Sequence, residues 1–257
     1  MNSISVLIQT HNEEKHIEDC IASAKLLSKD VVVIDMESTD TTQERAQKNG
    51  ASLFTFSFSH YVEPGRVFGI KQITSDWVFI LDADERMTKE LADEIKQAIQ
   101  NTNYTYYKVP RKNMFGGKKW LQHGGWWPDE QMRLIKISAF QSWPAQIHST
   151  PLIKGKMGHL SQAFLHLFHG DIEMMVQKTL VFEDIESDLL FKAQKPVSTF
   201  TFFRKFFGEL WRRLIKKAGF LDGTIGIIES VYQAYSKTIT YLLLYEKKNR
   251  RPLHPLP

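Results

Sequence analysis

The sequence predicts an α/β protein, a mostly parallel central sheet flanked by helices with a helical appendage at the C-terminal end. Three observations predict it. Apolar, β-branched runs alternate with helix-patterned segments through the first hundred residues, polar clusters close three of those runs, and a Lys195-Pro196 break precedes a basic, aromatic tail.

The elements follow in order. Residues 3–10 (SISVLIQT) and 30–36 (DVVVIDM) are short, apolar and β-branched; residues 51–58 (ASLFTFSF) alternate, and residues 76–81 (DWVFIL) form a fourth apolar run. Between them, residues 13–27, 40–49 and 65–74 carry apolar side chains at helical spacing, and Ser38-Thr39-Asp40 can cap a helix. Strands separated by single helices build a parallel sheet with right-handed crossovers, which takes ligands beyond the carboxyl ends of its strands. Residues 88–100 (TKELADEIKQAIQ) are amphipathic at the helical period. Residues 104–110 and 131–137 read as further strands, joined by the Gly- and Trp-rich loop MFGGKKWLQHGGWWPDE. Residues 171–194 read as a long helix, and Lys195-Pro196 then divides an α/β domain, 1–194, from a helical segment, 195–257.

Composition narrows the class. With 257 residues, 42% hydrophobic and 24% charged, the chain can bury a substantial core. Cys20 is the single cysteine, which excludes an intrachain disulfide and a thiolate metal cluster. The start MNSISVLIQT lacks the basic, long-apolar pattern of a secretory signal, so a cytoplasmic address is expected. The formal charge of +4 hides an asymmetry: residues 190–257 hold 13 Lys and Arg against 4 Asp and Glu, a local +9. Such a tail suits an anionic surface, nucleic acid or membrane phospholipid.

Three polar clusters close the strands: Thr10-His11-Asn12-Glu13, Asp35 with Glu37, and Asp82-Ala83-Asp84-Glu85. Residues two apart in extended chain point the same way, so Asp82 and Asp84 can offer two carboxylates to one site. Hard oxygen donors of this kind suit Mg²⁺ or Mn²⁺, bridging them to a substrate's phosphates. The competing reading is acidic residues that merely solvate a strand end. The chain has no Gly-x-Gly-x-x-Gly after the first strand, no P-loop and no Gly-x-Ser-x-Gly elbow, and its nine histidines lack zinc-site pair spacing. A metal–phosphate site in an α/β sheet remains.

These segments resemble family 2 inverting glycosyltransferases of the GT-A fold, and within them the branch of lipopolysaccharide core β-glucosyltransferases. The matching stretches are ISVLIQTHNE, VVVIDMESTDTT, DWVFILDADERMT, WPDEQMRL, Ile147-His148, residues 165–178, and the tail from GFLDGTIGIIES to YLLLYE. The resemblance implies that Thr10, Asn12 and Glu13 line a nucleotide pocket, that Asp35 accepts a hydrogen bond from the base, and that Asp82 lies near the ribose or metal. Asp84 would bind the metal on the diphosphate, with His166 a further metal or diphosphate ligand. His169 competes for that role, and a core histidine is the alternative for His166. Arg66, after Pro64-Gly65, would contact the nucleotide or its phosphates, or else solvate a helix start. Ser149 stands where the branch usually has Glu, which leaves His148 as the acceptor-binding candidate of that segment.

Inverting transfer needs a base for the acceptor hydroxyl. Asp129, in Trp126-Trp127-Pro128-Asp129, is the choice, with Glu130 its neighbour and rival. Partial desolvation beside two tryptophans is expected to raise its pKa. Trp126 and Trp127 would stack an acceptor sugar, or simply pack in a core, and Arg133 would orient the carboxylates or a phosphate. The implied donor is a UDP-linked sugar and the acceptor a lipid-linked saccharide.

Residues 199–217 (TFTFFRKFFGELWRRLIKK) separate on a helical wheel. Phe200, Phe203, Phe207, Leu210, Trp211 and Leu214 fall on one side, Lys205, Glu209, Arg212, Arg213 and Lys216 on the other. That is the pattern of a helix lying in an anionic membrane surface, with a helix packed on its domain as the alternative. Glu229 and Lys237 interrupt the apolar stretch 223–245, so monotopic attachment to the inner face of the cell membrane is expected rather than a span. No nucleic-acid partner is expected. Two other readings are a sugar nucleotidyltransferase, although HNEEKH replaces its Gly-rich basic loop, and a non-enzymatic basic binding module.

Overall fold

A computed structural model describes residues 2–59, 61–101, 103–144, 149–168 and 172–249. They group into two compact units, residues 1–113 with 128–167, and residues 114–127 with 168–257. Lys195-Pro196 lies within the second of these.

In the first unit the expected alternation is present as β1 (Ile4–Thr10), α1 (Ile17–Ala24), β2 (Val31–Asp35), α2 (Thr42–Lys48), β3 (Ser52–Thr55), α3 (Glu63–Ile70) and β4 (Trp77–Asp82). The short β5 (Glu85–Arg86) and α4 (Lys89–Ala98) follow, and then β6 (Tyr106–Phe115). The two-residue β7 (Lys119–Trp120) folds onto the end of β6 through Met114 and Phe115, in the second unit. Next come β8 (Glu130–Lys136), the hairpin β9 (Phe140–Ser142) with β10 (Leu152–Ile153), and the short β11 (Met157–His159) and β12 (Phe164–His166). The main sheet runs β3-β2-β1-β4-β8-β6-β12-β5, with β11 also against β6. Strands β3, β2, β1 and β4 are parallel; β8 enters antiparallel between β4 and β6, so the sheet is mixed.

The central strands are buried on both faces, as expected where helices cover each side. Val6 and Ile8 face Ile17 and Ile21 of α1 and Leu91 and Ile95 of α4, whereas Leu7, Ile34, Val78, Ile80 and Ile135 form the core under α3. Thr88 caps α4 by accepting from Leu91 N–H. Helix α3 lies hard against the sheet. A Cβ on Gly69 would fall 2.6 Å from Leu7 Cδ1, and one on Gly65 would fall 2.8 Å from Gln9 Oε1. That approach, open only to glycine, carries Arg66 down to the carboxyl end of β4. Cys20 is fully buried under the same strand end, its thiol 3.5 Å from the Asp82 carbonyl, and burial pushes its pKa up.

The second unit contains α5 (Ile172–Lys192), α6 (Thr199–Leu210), which continues as a π-helical turn over Trp211–Lys216, and α7 (Thr224–Asn249). Asp222 accepts from the backbone N–H groups of Gln122 and His123 and pairs with the His123 ring. Trp126 packs on Phe168 with the Arg213 guanidinium over its ring, and Trp127 meets Trp120 edge to face. The predicted apolar stripe of α6 is present in the open: Phe200, Phe203, Phe207 and Trp211 are exposed by 73, 59, 60 and 57%. The basic side differs from expectation. Arg212 and Arg213 both pair with Glu209, and Lys205 sits over the Tyr241 ring. Their charges are partly spent inside the unit. Among the described residues no helix is long and apolar enough to cross a membrane.

Candidate active site

Every strand of the first unit whose end was rich in polar residues delivers them to the same edge. The loops after β1 and β2 are laced together. Asn12 adopts a left-handed backbone (φ 53°), its N–H donates to Ser38 Oγ, and its Oδ1 accepts from Thr39 N–H, each at 2.8 Å. Glu13 N–H donates to Thr42 Oγ1 at 2.8 Å. Asp35, fully buried, accepts from Ser38 N–H, Ser38 Oγ and Gln43 Nε2 at 2.9, 2.5 and 2.7 Å. Its carboxylate therefore shapes this loop. Thr10 is buried, and its hydroxyl, like the amide of Gln9, has no partner among the described residues.

At the end of β4 begins a continuous chain of charge. Arg66 Nη2 holds both oxygens of Asp82, at 2.7 and 2.9 Å, and Arg133 Nη2 joins Asp82 at 2.9 Å to Glu85 at 2.6 Å. Arg111 stands 3.6 Å from Glu85 and donates through Nε to Asp129 at 2.8 Å. Asn113 donates to the same Asp129 oxygen at 2.9 Å, and Gln131 donates to the other at 2.6 Å. Asn113 Oδ1 then lies 2.7 Å from His166 Nδ1, and His166 Nε2 lies 3.5 Å from Asp84.

Register explains the convergence. Strand β12 runs between β6 and β5, so His166 pairs with Asn113 on one side and Glu85 on the other. The antiparallel β8 brings its beginning, not its end, to this edge, and so delivers Asp129.

Electrostatics sort the four carboxylates. Burial opposes ionisation of Asp82, but Arg133 and then Arg66 outweigh it and hold this carboxyl far below the usual carboxylate range. Arg133, buried between two carboxylates, is raised despite desolvation. For Glu85 the loss of hydration prevails and pushes its pKa up. Asp129 corrects the sequence expectation. Desolvation does push it upward, but Arg111 and the donors on Asn113 and Gln131 bring it below the ordinary value, because a charged partner favours the charged form. In this cluster three guanidiniums, of Arg66, Arg111 and Arg133, face the four carboxyl groups.

The sequence candidates divide accordingly. Thr10, Asn12, Glu13, Asp35, Arg66, Asp82, Asp84, Asp129, Arg133 and His166 all stand at the strand-end edge of the first unit. Trp126 and Trp127 belong to the second unit. His148 and His169 lie outside the described residues. Asp129 and Glu130 part company, because neighbours in extended chain face opposite ways. Glu130 is more exposed and contacts His159 at 2.9 Å instead of joining the cluster. Arg111, Asn113 and Glu85 were missed as partners. Their signal was Arg111-x-Asn113, two polar residues at strand period on the end of β6.

Asp84 and His166 are the pair that could hold a metal, since Asp82 is committed to two arginines. Two ligands sharing an octahedral edge at about 2.1 Å from an ion stand roughly 3.0 Å apart, close to the 3.5 Å seen. Among the described residues no third His, Cys, Asp or Glu gathers with them. A two-ligand set fits Mg²⁺ or Mn²⁺, which keep waters and substrate oxygens in the remaining positions.

The edge is that of a GT-A sugar-transferase architecture, and solved GT-A structures share the fold. A mannosyltransferase from Pyrobaculum calidifontis, in complex with GDP-Man and Mn²⁺, superposes with a TM-score of 0.53 at 11% identity, covering 92% of this chain and 74% of that one. Residues 1–349 of S. aureus TarS give 0.51 at 15% identity over 98% of this chain and 93% of that one. The family model for glycosyl transferase family 2 matches residues 5–156, and the chain belongs to that family. An uncharacterized glycosyltransferase of Rickettsia conorii is 26% identical over 256 residues, 95% of this chain and 90% of its own. A lipopolysaccharide core biosynthesis glycosyltransferase, LpsC of Rhizobium meliloti, is 29% identical over 102 residues, 37% of each chain.

Proposed function

We propose that this glycosyltransferase moves a sugar from a UDP-linked donor to a lipid-linked saccharide acceptor in cell-envelope biosynthesis, with inversion, at the inner face of the cell membrane. The observation that carries the donor reading is the set of buried polar atoms at the strand-end edge with no partner among the described residues: Thr10 Oγ1, the Gln9 amide, Arg66 Nε, and Arg133 Nε and Nη1. Each buried group left unpaired costs about 1–3 kcal/mol, and a polar ligand can recover part of that.

Thr10, Asn12, Glu13 and Asp35 would receive the nucleoside, with Arg66 and Asp82 at the ribose and phosphates. Asp84 and His166 would hold Mg²⁺ or Mn²⁺, which when bound neutralises charge on the departing diphosphate. Asp129, ionised and fixed by three donors, would take the proton of the acceptor hydroxyl as that oxygen attacks the anomeric carbon. Trp126 and Trp127, which immediately precede Pro128-Asp129 in the chain, would stack the acceptor sugar, and His148 would contribute to its binding. The GDP-Man and Mn²⁺ of the Pyrobaculum mannosyltransferase support a nucleoside diphosphate-sugar donor and a divalent metal, and the lipopolysaccharide core biosynthesis role of LpsC supports the cell-envelope pathway.

Asp84→Ala is the first test. Calorimetry should show Mn²⁺ and UDP affinities down by at least about 10–100-fold, the loss usual for a mere outer-shell partner of a metal. Wild-type affinities in this variant would refute the metal site.

The exposed aromatic row of α6 supports attachment to an anionic membrane. Phe203→Glu/Phe207→Glu should cut cosedimentation with phosphatidylglycerol vesicles by at least about tenfold, since each immersed Phe contributes about 1.5–3 kcal/mol. Equal sedimentation of variant and wild type would detach this helix from the membrane.

A further inference from the structure

Asn113 is wholly buried, and besides donating to Asp129 it touches a second group given a role above. Its amide spans from Asp129 to His166. Which way the amide faces is decided at the Asp129 end. That carboxylate already accepts from Arg111 and Gln131, and an ionised carboxylate only accepts. Asn113 must therefore turn its NH₂ group to Asp129, as the 2.9 Å contact has it.

The consequence passes to the other end of the amide. Its Oδ1 can only accept, so His166 Nδ1, at 2.7 Å, must be the donor. A neutral imidazole with the proton on Nδ1 carries its lone pair on Nε2. Nε2 is the nitrogen that stands 3.5 Å from the Asp84 carboxylate. A lone pair facing a carboxylate is a repulsive arrangement for the bare protein and a favourable one around a cation.

We propose that Asn113 is a positioning residue that fixes His166 as its Nδ1–H tautomer, so that Nε2 is presented with Asp84 to a divalent cation. The same amide ties the metal ligand to the base. This rests on the reading of Asp84, His166 and Asp129 given above. It means that one side chain both helps to hold the base and sets the form of the metal ligand. Loss of the amide therefore weakens metal binding through a residue that touches no metal.

The wild-type protein without metal tests it directly. Long-range ¹⁵N–¹H correlation on histidine-labelled protein at mildly alkaline pH reads the His166 tautomer. Nδ1–H is expected, and a proton on Nε2 overturns the role of Asn113 whatever the metal does. Mn²⁺ titration followed by electron paramagnetic resonance is the second readout. Asn113→Leu should weaken Mn²⁺ binding about 10–100-fold and release the tautomer. Unchanged Mn²⁺ affinity in a folded Asn113→Leu protein overturns the proposal. Nδ1–H in a wild type that binds no Mn²⁺ overturns the metal reading beneath it, and the proposal falls with it.

Discussion

Asp129→Asn is expected to lower turnover by about 10²–10⁴-fold, the range that a positioned proton acceptor contributes, while donor binding stays at the wild-type level. An amide of the same shape can still accept from Arg111 and Asn113 but cannot take up a proton. Glu130→Gln is the matched control, and its turnover should not change, because Glu130 is engaged with His159 away from the cluster. If the loss followed Glu130 instead, the base would have been assigned to the wrong neighbour. The depressed pKa of Asp129 adds a sign. Its carboxylate is already ionised at neutral pH, so protonation of the base itself should not lower kcat/KM until the pH passes below the ordinary carboxylate range.

Arg133→Met carries the largest expected effect on stability. The methionine preserves contact with the Phe164 ring, over which the guanidinium now sits at 5.5 Å. It removes the charge that Asp82 and Glu85 share, however, and leaves the buried Glu85 carboxyl beside the half-buried Asp82. Breaking a buried pair in this way costs about 3–5 kcal/mol, a fall of roughly 6–20 °C in Tm for a chain of this size. Scanning calorimetry at neutral pH would show it. A Tm within about 2 °C of wild type would mean that Arg66 and water compensate, and that the chain of charge is not a structural unit.

Much of this edge was legible because it follows from local pattern. Strands β1, β2 and β4 are apolar runs with polar ends, and the parallel topology sends those ends to one side. Asp82 and Asp84 could thus be chosen from the sequence, as could Asp129, at the start of the antiparallel β8, from its Trp126-Trp127-Pro128 setting and the family resemblance. The partners could not. Strands β5 and β12 are two and three residues long, too short for any periodicity, and exist only because register pins them beside β6.

Pro110 also misled, since a proline reads as the end of a strand. Arg111 N–H points toward β8, where it meets the Asp129 carbonyl at 2.7 Å. Backbone N–H groups alternate along a strand, so the position of Pro110 faces the other side. There β11 pairs only with residues 106–108, and β12 begins at Arg111. The proline fills a gap where no donor is needed, β6 runs on to Phe115, and Arg111 and Asn113 arrive at the site. The charge on α6 misled for a similar reason. A wheel shows which side a residue takes but not that Glu209 would claim both arginines.

The seclusion of Cys20 has a practical consequence. With its only sulfhydryl sealed beneath β4 and its ionisation suppressed, the native chain is expected to resist maleimide reagents. A cysteine introduced at an exposed position such as Phe203 would then be the sole labelling point, so a fluorophore or spin probe could be placed without first engineering a thiol-free background.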